Sequence, residues 1–321
     1  MPNPKQIVHG GDLGEIMRRF PDAPRPWIDL STGINPVPYP VPALRDDAWT
    51  RLPDHAAQEA LIDAAMARYR VPSREMIVAA PGTQALIQVL PRLLPPSRVA
   101  IVGPTYEEHE ACWSRAGHDV HLVPTLQDSD VVVVVNPDNP TGRLFPRQEL
   151  ADISGFLVVD EAFIDFLPPD ASVASHLRNG VVLRSFGKTY GLAGVRLGFA
   201  IASFDMAAHI RRELGPWAVS GPALEIGRRA LSDDAWLNAA RERLERDTER
   251  LDGLLRAAGF EILGGTLLFR LARHPSAGAF VQRLGQHGIH VRAFAAAPDR
   301  LRFGLPADDE AFRRLAAALG V

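Results

Sequence analysis

The chain has 321 residues, 46% hydrophobic and 23% charged, which is typical of a globular protein with one large or two modest domains. A formal net charge of −3, with Lys and Arg spread along the chain, gives no electrostatic reason to bind nucleic acid or a membrane. No run approaches the roughly 18 apolar residues that cross a bilayer, and no apolar signal core is present, so we expect a cytoplasmic protein. Cys112 is the single cysteine, which excludes an internal disulfide and a multi-thiolate metal site, and we expect no metal.

The first half of the chain predicts an α/β fold. Residues 21–53 are rich in proline and predict an extended arm, because proline lacks an amide donor and disfavours helix before it. From about residue 56, helical periods alternate with short apolar runs. The predicted helices are His55–Tyr69 and Thr83–Leu94, and the predicted strands are Met76–Ala80, Val99–Val102, Val131–Val135, Leu157–Val159 and Val181–Leu183. Unbroken β-branched runs between helices are typical of strands covered on both faces, so we expect a mostly parallel sheet.

After about residue 205 the pattern changes to that of a smaller C-terminal α/β domain. Asp233–Ala258 predicts a long helix that ends at Gly259, and strands are expected around Gly265–Leu271, Ile289–Phe294 and Leu301–Gly304. We therefore divide the chain into an N-terminal arm (1–40) on the small domain and active site, a large domain (41–215) and a small domain (216–321).

Unusual polar residues follow most strands of the large domain. They lie in Pro81–Thr83, Pro104–Tyr106, Asn136–Pro137, Asp160–Glu161 and Ser185–Lys188. In open α/β sheets, ligands bind beyond the carboxyl ends of the strands. The convergence of these segments predicts a functional site at that edge.

The residue types at this edge suggest particular chemistry. Gly82–Gln84 opens a helix whose free amides favour an anion, although such turns are more often structural. Asp160 ends an apolar strand and needs a cationic partner, or else serves in an ion pair or helix cap. Partial burial would favour the neutral amine of Lys188 for Schiff-base chemistry, and Arg196 could add fixed positive charge. The glycine spacing is not that of a dinucleotide-binding turn, so we do not expect NAD.

Three motifs resemble the class I/II aminotransferases, the fold-type-I enzymes of pyridoxal 5′-phosphate (PLP). They are NPDNPTG (136–142), VVDEAF (158–163) and SFGKTYGLAGVRLG (185–198), in that order. The resemblance implies an aspartate-aminotransferase-like fold, PLP as cofactor, and a homodimer with shared active sites. It also implies that Lys188 holds PLP and moves protons, and that Asp160 pairs with the pyridine nitrogen. The other implied cofactor contacts are Tyr106 on the ring, Asn139 at the phenolic oxygen, and Gly82, Thr83, Gln84, Ser185 and Arg196 at the phosphate.

Four further segments resemble one branch of this family, which decarboxylates L-threonine O-3-phosphate to (R)-1-amino-2-propanol O-2-phosphate in cobalamin biosynthesis. They are HGGDL (9–13), DLSTGINP (29–36), RLPD (51–54) and VVDEAFIDFLP (158–168). The implied substrate-binding residues are His9, Gly10, Gly33, Asn139, Arg292 and Arg302. Histidinol-phosphate aminotransferase, or a related aminotransferase, stays open as the alternative. A PLP-binding regulator would need a DNA-binding domain, for which we find no segment.

The substrate imposes a physical requirement, because phosphothreonine carries both a carboxylate and a phosphate. Arg292 and Arg302 lie at strand-like positions where a guanidinium could bind such groups bidentately. Three positions depart from relatives of this family. Phe163 and Leu52 replace tyrosines that contact the cofactor, and Gly33 replaces an asparagine of some decarboxylases. The residues alone do not decide between decarboxylation and transamination, since that depends on how the substrate is oriented.

Overall fold

The computed structural model describes residues 9–41 and 43–321. The predicted arm therefore lies partly outside the described residues, since it begins at residue 1. The helices are α1 (Leu13–Arg19), α2 (Asp47–Thr50), α3 (His55–Tyr69), α4 (Thr83–Val89), α5 (Glu107–Arg115), α6 (Arg147–Ala151), α7 (Phe186–Thr189), α8 (Phe204–Leu214), α9 (Gly221–Leu231), α10 (Asp234–Ala257), α11 (Ala277–Gln286) and α12 (Asp309–Leu319). The strands are β1 (Ile28–Leu30), β2 (Ile77–Ala80), β3 (Arg98–Val102), β4 (Asp119–Val123), β5 (Val131–Val135), β6 (Phe156–Asp160), β7 (Gly180–Ser185), β8 (Gly198–Ala202), β9 (Glu261–Thr266), β10 (Phe269–Arg273), β11 (Ile289–Ala293) and β12 (Arg300–Gly304).

The chain divides into two compact units. Unit 1 contains the chain up to Val37, Pro140–Gly142 and Ala239–Val321, and unit 2 contains Pro38–Asn139 and Arg143–Asn238.

Unit 2 is built on a seven-stranded sheet of order β2-β8-β7-β6-β5-β3-β4. Strand β8 pairs antiparallel with both of its neighbours, and the remaining pairs are parallel. The predicted mostly parallel sheet is confirmed. Because β8 is reversed, β2 runs in the same direction as the parallel strands, and its carboxyl end lies at the same edge of the sheet.

Both faces of this sheet are covered, as the five consecutive valines of β5 predict. Val132 and Val134 pack into one apolar cluster with Leu61 and Tyr69 of α3. Val131 and Val133 pack into the opposite cluster, with side chains that include Trp113 of α5. Successive strand side chains point to opposite faces, so one run of apolar residues contributes to two layers of core.

Unit 1 is built on a five-stranded sheet of order β1-β11-β12-β10-β9, in which β1 pairs parallel with β11 and the other pairs are antiparallel. Helix α10 matches its predicted bounds to within one residue at each end. Gly259 follows it with a φ of +84°, the left-handed conformation that ends a helix readily at glycine.

Two predicted elements are wrong in part. The single strand expected around Gly265–Leu271 is a hairpin, because the chain reverses between Thr266 and Phe269, where the Leu268 amide donates to the Thr266 hydroxyl at 3.1 Å. Helix α2 lies within residues 21–53, where we expected only extended chain. The segment 43–52 contains no proline, so nothing there prevents a turn of helix.

In the part of the chain that the structure describes, no helix is both long and apolar enough to cross a membrane.

Replacing Val133 with alanine tests the covered sheet. Val133 is 0% exposed, and its loss of two methyl groups should lower the free energy of unfolding by about 2 kcal/mol. Leu122→Ala is the control, because Leu122 lies on the edge strand β4 and is 54% exposed, so a change under about 0.5 kcal/mol is expected. Urea unfolding of both variants gives the comparison, and equal losses would contradict the two-layer arrangement.

Candidate active site

The residues predicted from the strand ends belong to unit 2, and contacts join several of them. They are Gly82, Thr83, Gln84, Tyr106, Asn139, Asp160, Ser185, Lys188 and Arg196. Gly82 follows β2, Tyr106 follows β3, Asp160 ends β6 and Ser185 ends β7. These strands share one direction, so their carboxyl ends lie along one edge of the sheet.

Asp160 is buried and its carboxylate has two partners. One oxygen, Oδ2, lies 3.1 Å from Nε2 of His109, and the other accepts the amide hydrogen of Ala162 at 3.1 Å. The side chains of His109 and Asp160 are only 1% and 5% exposed. An ionised carboxylate can only accept hydrogen bonds, so this contact requires a proton on Nε2 of His109.

A cationic partner for Asp160 was expected, and the partner in the structure is His109, which was not among the predicted site residues. His109 lies three residues after Tyr106, in the first turn of α5, and its Nδ1 atom has no hydrogen-bond partner among the described residues. The signal that could have found it is spacing, since a residue in the first turn of the helix after β3 can face the same edge as Tyr106. The two rings are 6.1 Å apart, edge to face.

Gly82 and Arg196 form a tight cradle beside β2 and β8. Gly82 has a φ of +83°, and a Cβ atom there would lie 2.8 Å from a terminal nitrogen of Arg196. A Cβ on Gly198 would lie 2.7 Å from the backbone nitrogen of Thr83. Arg196 itself has a φ of +54°, a conformation that costs a non-glycine residue about 1–3 kcal/mol and clusters at functional sites. Glycine thus leaves backbone amides and a guanidinium close together, as an anion requires.

Tyr106 and Gln84 are in direct contact, and Gln84 has a second partner, Glu108, which was not among the predicted site residues. The Tyr106 hydroxyl donates to Oε1 of Gln84 at 3.1 Å, and Nε2 of Gln84 donates to Glu108 at 2.8 Å. Burial, followed by the nearby Glu108 carboxylate, raises the pKa of Tyr106 to about 12. Tyr106 is therefore a neutral phenol at physiological pH, with its ring held at the sheet edge.

Lys188 lies in the short helix α7, directly after β7. Its Nζ atom is 5.1 Å from the centre of the Phe163 ring. Tyr190, two residues after Lys188, is 1% exposed. Its ring stacks between those of Phe186 and Trp236, with ring centres 4.5 Å and 5.5 Å away. These aromatic contacts fix the backbone on both sides of Lys188.

A second group of predicted residues lies in unit 1, where Arg292 of β11 and Arg302 of β12 are directly opposite each other. Arg302 is 8% exposed and donates to the Ser31 carbonyl at 2.6 Å. Burial, together with the neighbouring Arg292, lowers the pKa of Arg302 to about 10. Like charges opposite each other destabilise a strand pair, and a bound anion would remove that repulsion.

The arm residues of unit 1 surround the same serine. The Ser31 hydroxyl donates to Asp29 at 2.6 Å and accepts the Gly11 amide hydrogen at 2.8 Å. A Cβ on Gly10 would lie 2.5 Å from the Ser31 carbonyl oxygen, so the chain can approach only with glycine there. His9 is exposed and Gly33 is buried in this unit, whereas Asn139 belongs to unit 2. Within residues 9–41 and 43–321, no group of three or more His, Cys, Asp or Glu side chains could hold a metal ion.

Comparison with known proteins gives similarity over almost the whole chain. The family model described as aminotransferase class I and II matches residues 25–319. The chain is 45% identical to a threonine-phosphate decarboxylase of a Sinorhizobium species, covering 98% of this chain and 97% of that protein. It is 42% identical to the enzyme of the same name from Pseudomonas aeruginosa, with the same coverage. Among solved structures, histidinol-phosphate aminotransferase from Sinorhizobium meliloti, in complex with PLP, superposes with a TM-score of 0.83 at 21% identity, covering 98% of this chain and 94% of that chain.

Removing the imidazole tests the importance of the contact between His109 and Asp160. His109→Leu leaves a buried carboxylate with one partner fewer, and we expect the free energy of unfolding to fall by about 3 kcal/mol. The double variant His109→Leu/Asp160→Asn should lose less than the sum of the single variants, by about 1 kcal/mol or more. Urea unfolding of the four proteins completes the cycle, and strict additivity would show that the two side chains are not coupled.

Proposed function

Because this chain belongs to the class I and II aminotransferase family, we propose that it is a PLP-dependent decarboxylase. Its substrate is L-threonine O-3-phosphate, and its products are CO2 and (R)-1-amino-2-propanol O-2-phosphate, which is used in cobalamin biosynthesis. The observation that carries the proposal is the near full-length similarity to two threonine-phosphate decarboxylases.

The residues at the edge of the unit 2 sheet fit PLP. Glycine at position 82 lets the Arg196 guanidinium lie directly against the backbone beside Thr83, which presents positive charge for a phosphate. The buried Asp160 carboxylate suits a protonated pyridine nitrogen, and the Lys188 amine follows the adjacent strand. Gln84, Tyr106, Asn139 and Ser185 complete the proposed set of cofactor contacts.

When bound, PLP supplies an electron-accepting ring for the bond that breaks at the substrate Cα. Asp160 keeps the proton on the pyridine nitrogen, which maintains that electron demand. His109 holds the Asp160 carboxylate in place from α5. Lys188 would hold the cofactor and would supply a proton to the substrate Cα in place of the departing carboxylate.

The choice of reaction falls to the residues of unit 1. Arg302 takes the substrate carboxylate and Arg292 the phosphate, each with a planar guanidinium that matches these anions. His9, Gly10 and Gly33 contribute contacts from the arm. Arg302 would favour loss of CO2 by fixing the orientation of the substrate carboxylate. Orientation of this kind supplies several kcal/mol in other enzymes, which is enough to decide the outcome.

The proposal includes a second copy of this chain as partner, as the family resemblance implies. Trp49 and Leu52 are each 68% exposed, and Trp217 is 53% exposed with a φ of +55°. Helix α2, which carries Trp49, packs against the start of α9, since a Cβ on Gly221 would lie 2.3 Å from the Ala48 carbonyl oxygen. Trp217 precedes Gly221 by four residues. Large exposed aromatic side chains are typical of protein interfaces.

Product analysis tests the proposed reaction. The purified protein with PLP should release one CO2 per phosphothreonine consumed, without forming glutamate when 2-oxoglutarate is supplied. Glutamate formation from histidinol phosphate and 2-oxoglutarate would favour the aminotransferase alternative and overturn the proposal. Lys188→Ala is the control, and it should lose turnover and the visible absorption of lysine-bound PLP.

Light scattering after gel filtration tests whether two copies of the chain associate. We expect the mass of a dimer for the wild-type chain and of a monomer for Trp49→Glu, because a buried unpaired carboxylate disfavours association. Phe204→Glu is the matched control, since Phe204 is 58% exposed on α8 and should leave the dimer intact. A wild-type monomer at micromolar concentration would contradict the assignment.

A further inference from the structure

A buried ionic network surrounds Arg184 in unit 2, and the proposed chemistry does not use it. The Arg184 guanidinium donates to Glu161 at 3.1 Å, to the Ser172 hydroxyl at 3.2 Å and to a carboxylate oxygen of Asp165. The second carboxylate oxygen of Asp165 accepts the Thr189 hydroxyl hydrogen at 2.7 Å. The charged side chains are at most 6% exposed, and Thr189 is 1% exposed.

Each end of this network adjoins a residue of the proposed cofactor site. Glu161 follows Asp160 directly, and Thr189 follows Lys188. Between them, Arg184 precedes Ser185 at the end of β7. A continuous chain of hydrogen bonds therefore connects the residue beside Asp160 with the residue beside Lys188, through Arg184 and Asp165.

The network lies on the opposite face of the sheet from the contact between Asp160 and His109. The Arg184 guanidinium stacks 4.3 Å above the ring of Tyr69, which belongs to α3, whereas His109 belongs to α5. Tyr69 and Trp113, the latter on α5, belong to different apolar clusters on the two faces. The chain after β6 is thus held from both layers, by His109 through Asp160 and by Arg184 through Glu161.

Stability alone is a poor reason for such a network, because desolvating buried ions often costs more than their attraction returns. Two carboxylates face one guanidinium, and burial raises the pKa of Glu161 despite the Arg184 charge. Further titratable groups near it are Tyr69 and Tyr190, with Arg68 close to both tyrosines. Burial, followed by the Asp165 charge, raises the pKa of both tyrosines, so both stay neutral. Buried ionic groups can instead fix one geometry among several that an apolar core would allow.

We propose that Glu161, Arg184, Asp165 and Thr189 are positioning residues that hold Lys188 in register with Asp160. This inference rests on the proposed function for the identity of the site. The network acts through backbone neighbours and touches neither cofactor nor substrate in this role. Its loss changes the placement of the Lys188 amine, and with it the protonation and reactivity of the lysine–PLP linkage.

Thr189 offers the sharpest test, because one substitution can remove the hydroxyl that donates to Asp165 while another keeps it. Thr189→Val removes the hydroxyl with nearly the same volume, and Thr189→Ser keeps it. We expect Thr189→Val to lower kcat about tenfold, because a small displacement of a reacting group costs about one to two orders of magnitude in rate. KM should stay within about twofold, because substrate-binding groups are untouched. Thr189→Ser should restore kcat to within about threefold of wild type.

The spectral readout separates positioning from general structure. The pH midpoint of the visible spectrum of lysine-bound PLP, measured without substrate, should move by about 0.5 or more in Thr189→Val and return in Thr189→Ser. Thr248→Val is the matched control. Thr248 is 2% exposed on α10, and in the described chain its hydroxyl has no hydrogen-bond partner, so neither spectrum nor kcat should change.

Two outcomes would overturn the inference. One is a Thr189→Val protein with a lower melting temperature but an unchanged spectral midpoint and kcat, which would mean a structural role only. The other is a serine variant as impaired as the valine variant. Failure of the proposed function is distinguishable, since a wild-type protein that binds PLP but releases no CO2 from phosphothreonine still permits the spectral comparison.

Discussion

A carboxylate at the end of an apolar strand imposes the strictest condition on this structure. Asp160 lies where β6 leaves the core, and an ion there costs several kcal/mol unless hydrogen bonds replace the lost water. The condition is met by His109 and by the amide of Ala162. Because His109 comes from α5, the helix must pack at one fixed height against the sheet. The positions of β3, α5 and β6 are therefore coupled through one short contact.

The edge of the unit 2 sheet brings several candidate site residues together without long loops. The strands β2, β3, β6 and β7 end at the same edge of the sheet, although only β6 and β7 are adjacent, so residues far apart in the chain are brought to one edge after very short turns. Helices on both faces then hold the strand ends in place. Trp113 and His109 of α5 pack on one face, and Tyr69 of α3 contacts Arg184 of β7 on the other. A rigid edge of this kind suits a cofactor whose reactive atoms must keep their orientation through the reaction.

The two units divide the proposed chemistry between them. Unit 2 carries the groups that suit PLP, and these are common to enzymes with different reactions. Unit 1 carries the opposed arginines Arg292 and Arg302, whose repulsion is relieved by an anion. In the proposed function, the electron-accepting chemistry belongs to unit 2 and the orientation of the substrate to unit 1. A fold shared at 21% identity does not by itself determine the reaction.

Local sequence patterns were enough to predict many of the strands and helices and the edge of the sheet that carries the candidate site. The five valines of β5 specify a strand buried on both faces, and the bounds of α3 and α10 follow from helical periodicity and from Gly259. The succession of polar residues after the strands placed Gly82, Tyr106, Asp160 and Lys188 at one edge. These features depend on residues within a few positions of each other, so the linear sequence suffices to predict them.

Tertiary structure decided which side chains meet. His109 is 51 residues from Asp160, and Thr189 is 24 residues from Asp165, and neither spacing carries a periodic signal. The hairpin between β9 and β10 was not predicted, because the single predicted strand covers the end of β9 and the start of β10. The antiparallel pairing of these two strands shows that the chain reverses between them. Lys188 and Asp160 could therefore be proposed as site residues from their motifs. Their partners could not, because burial in a common layer brings those side chains together and sequence distance does not record it.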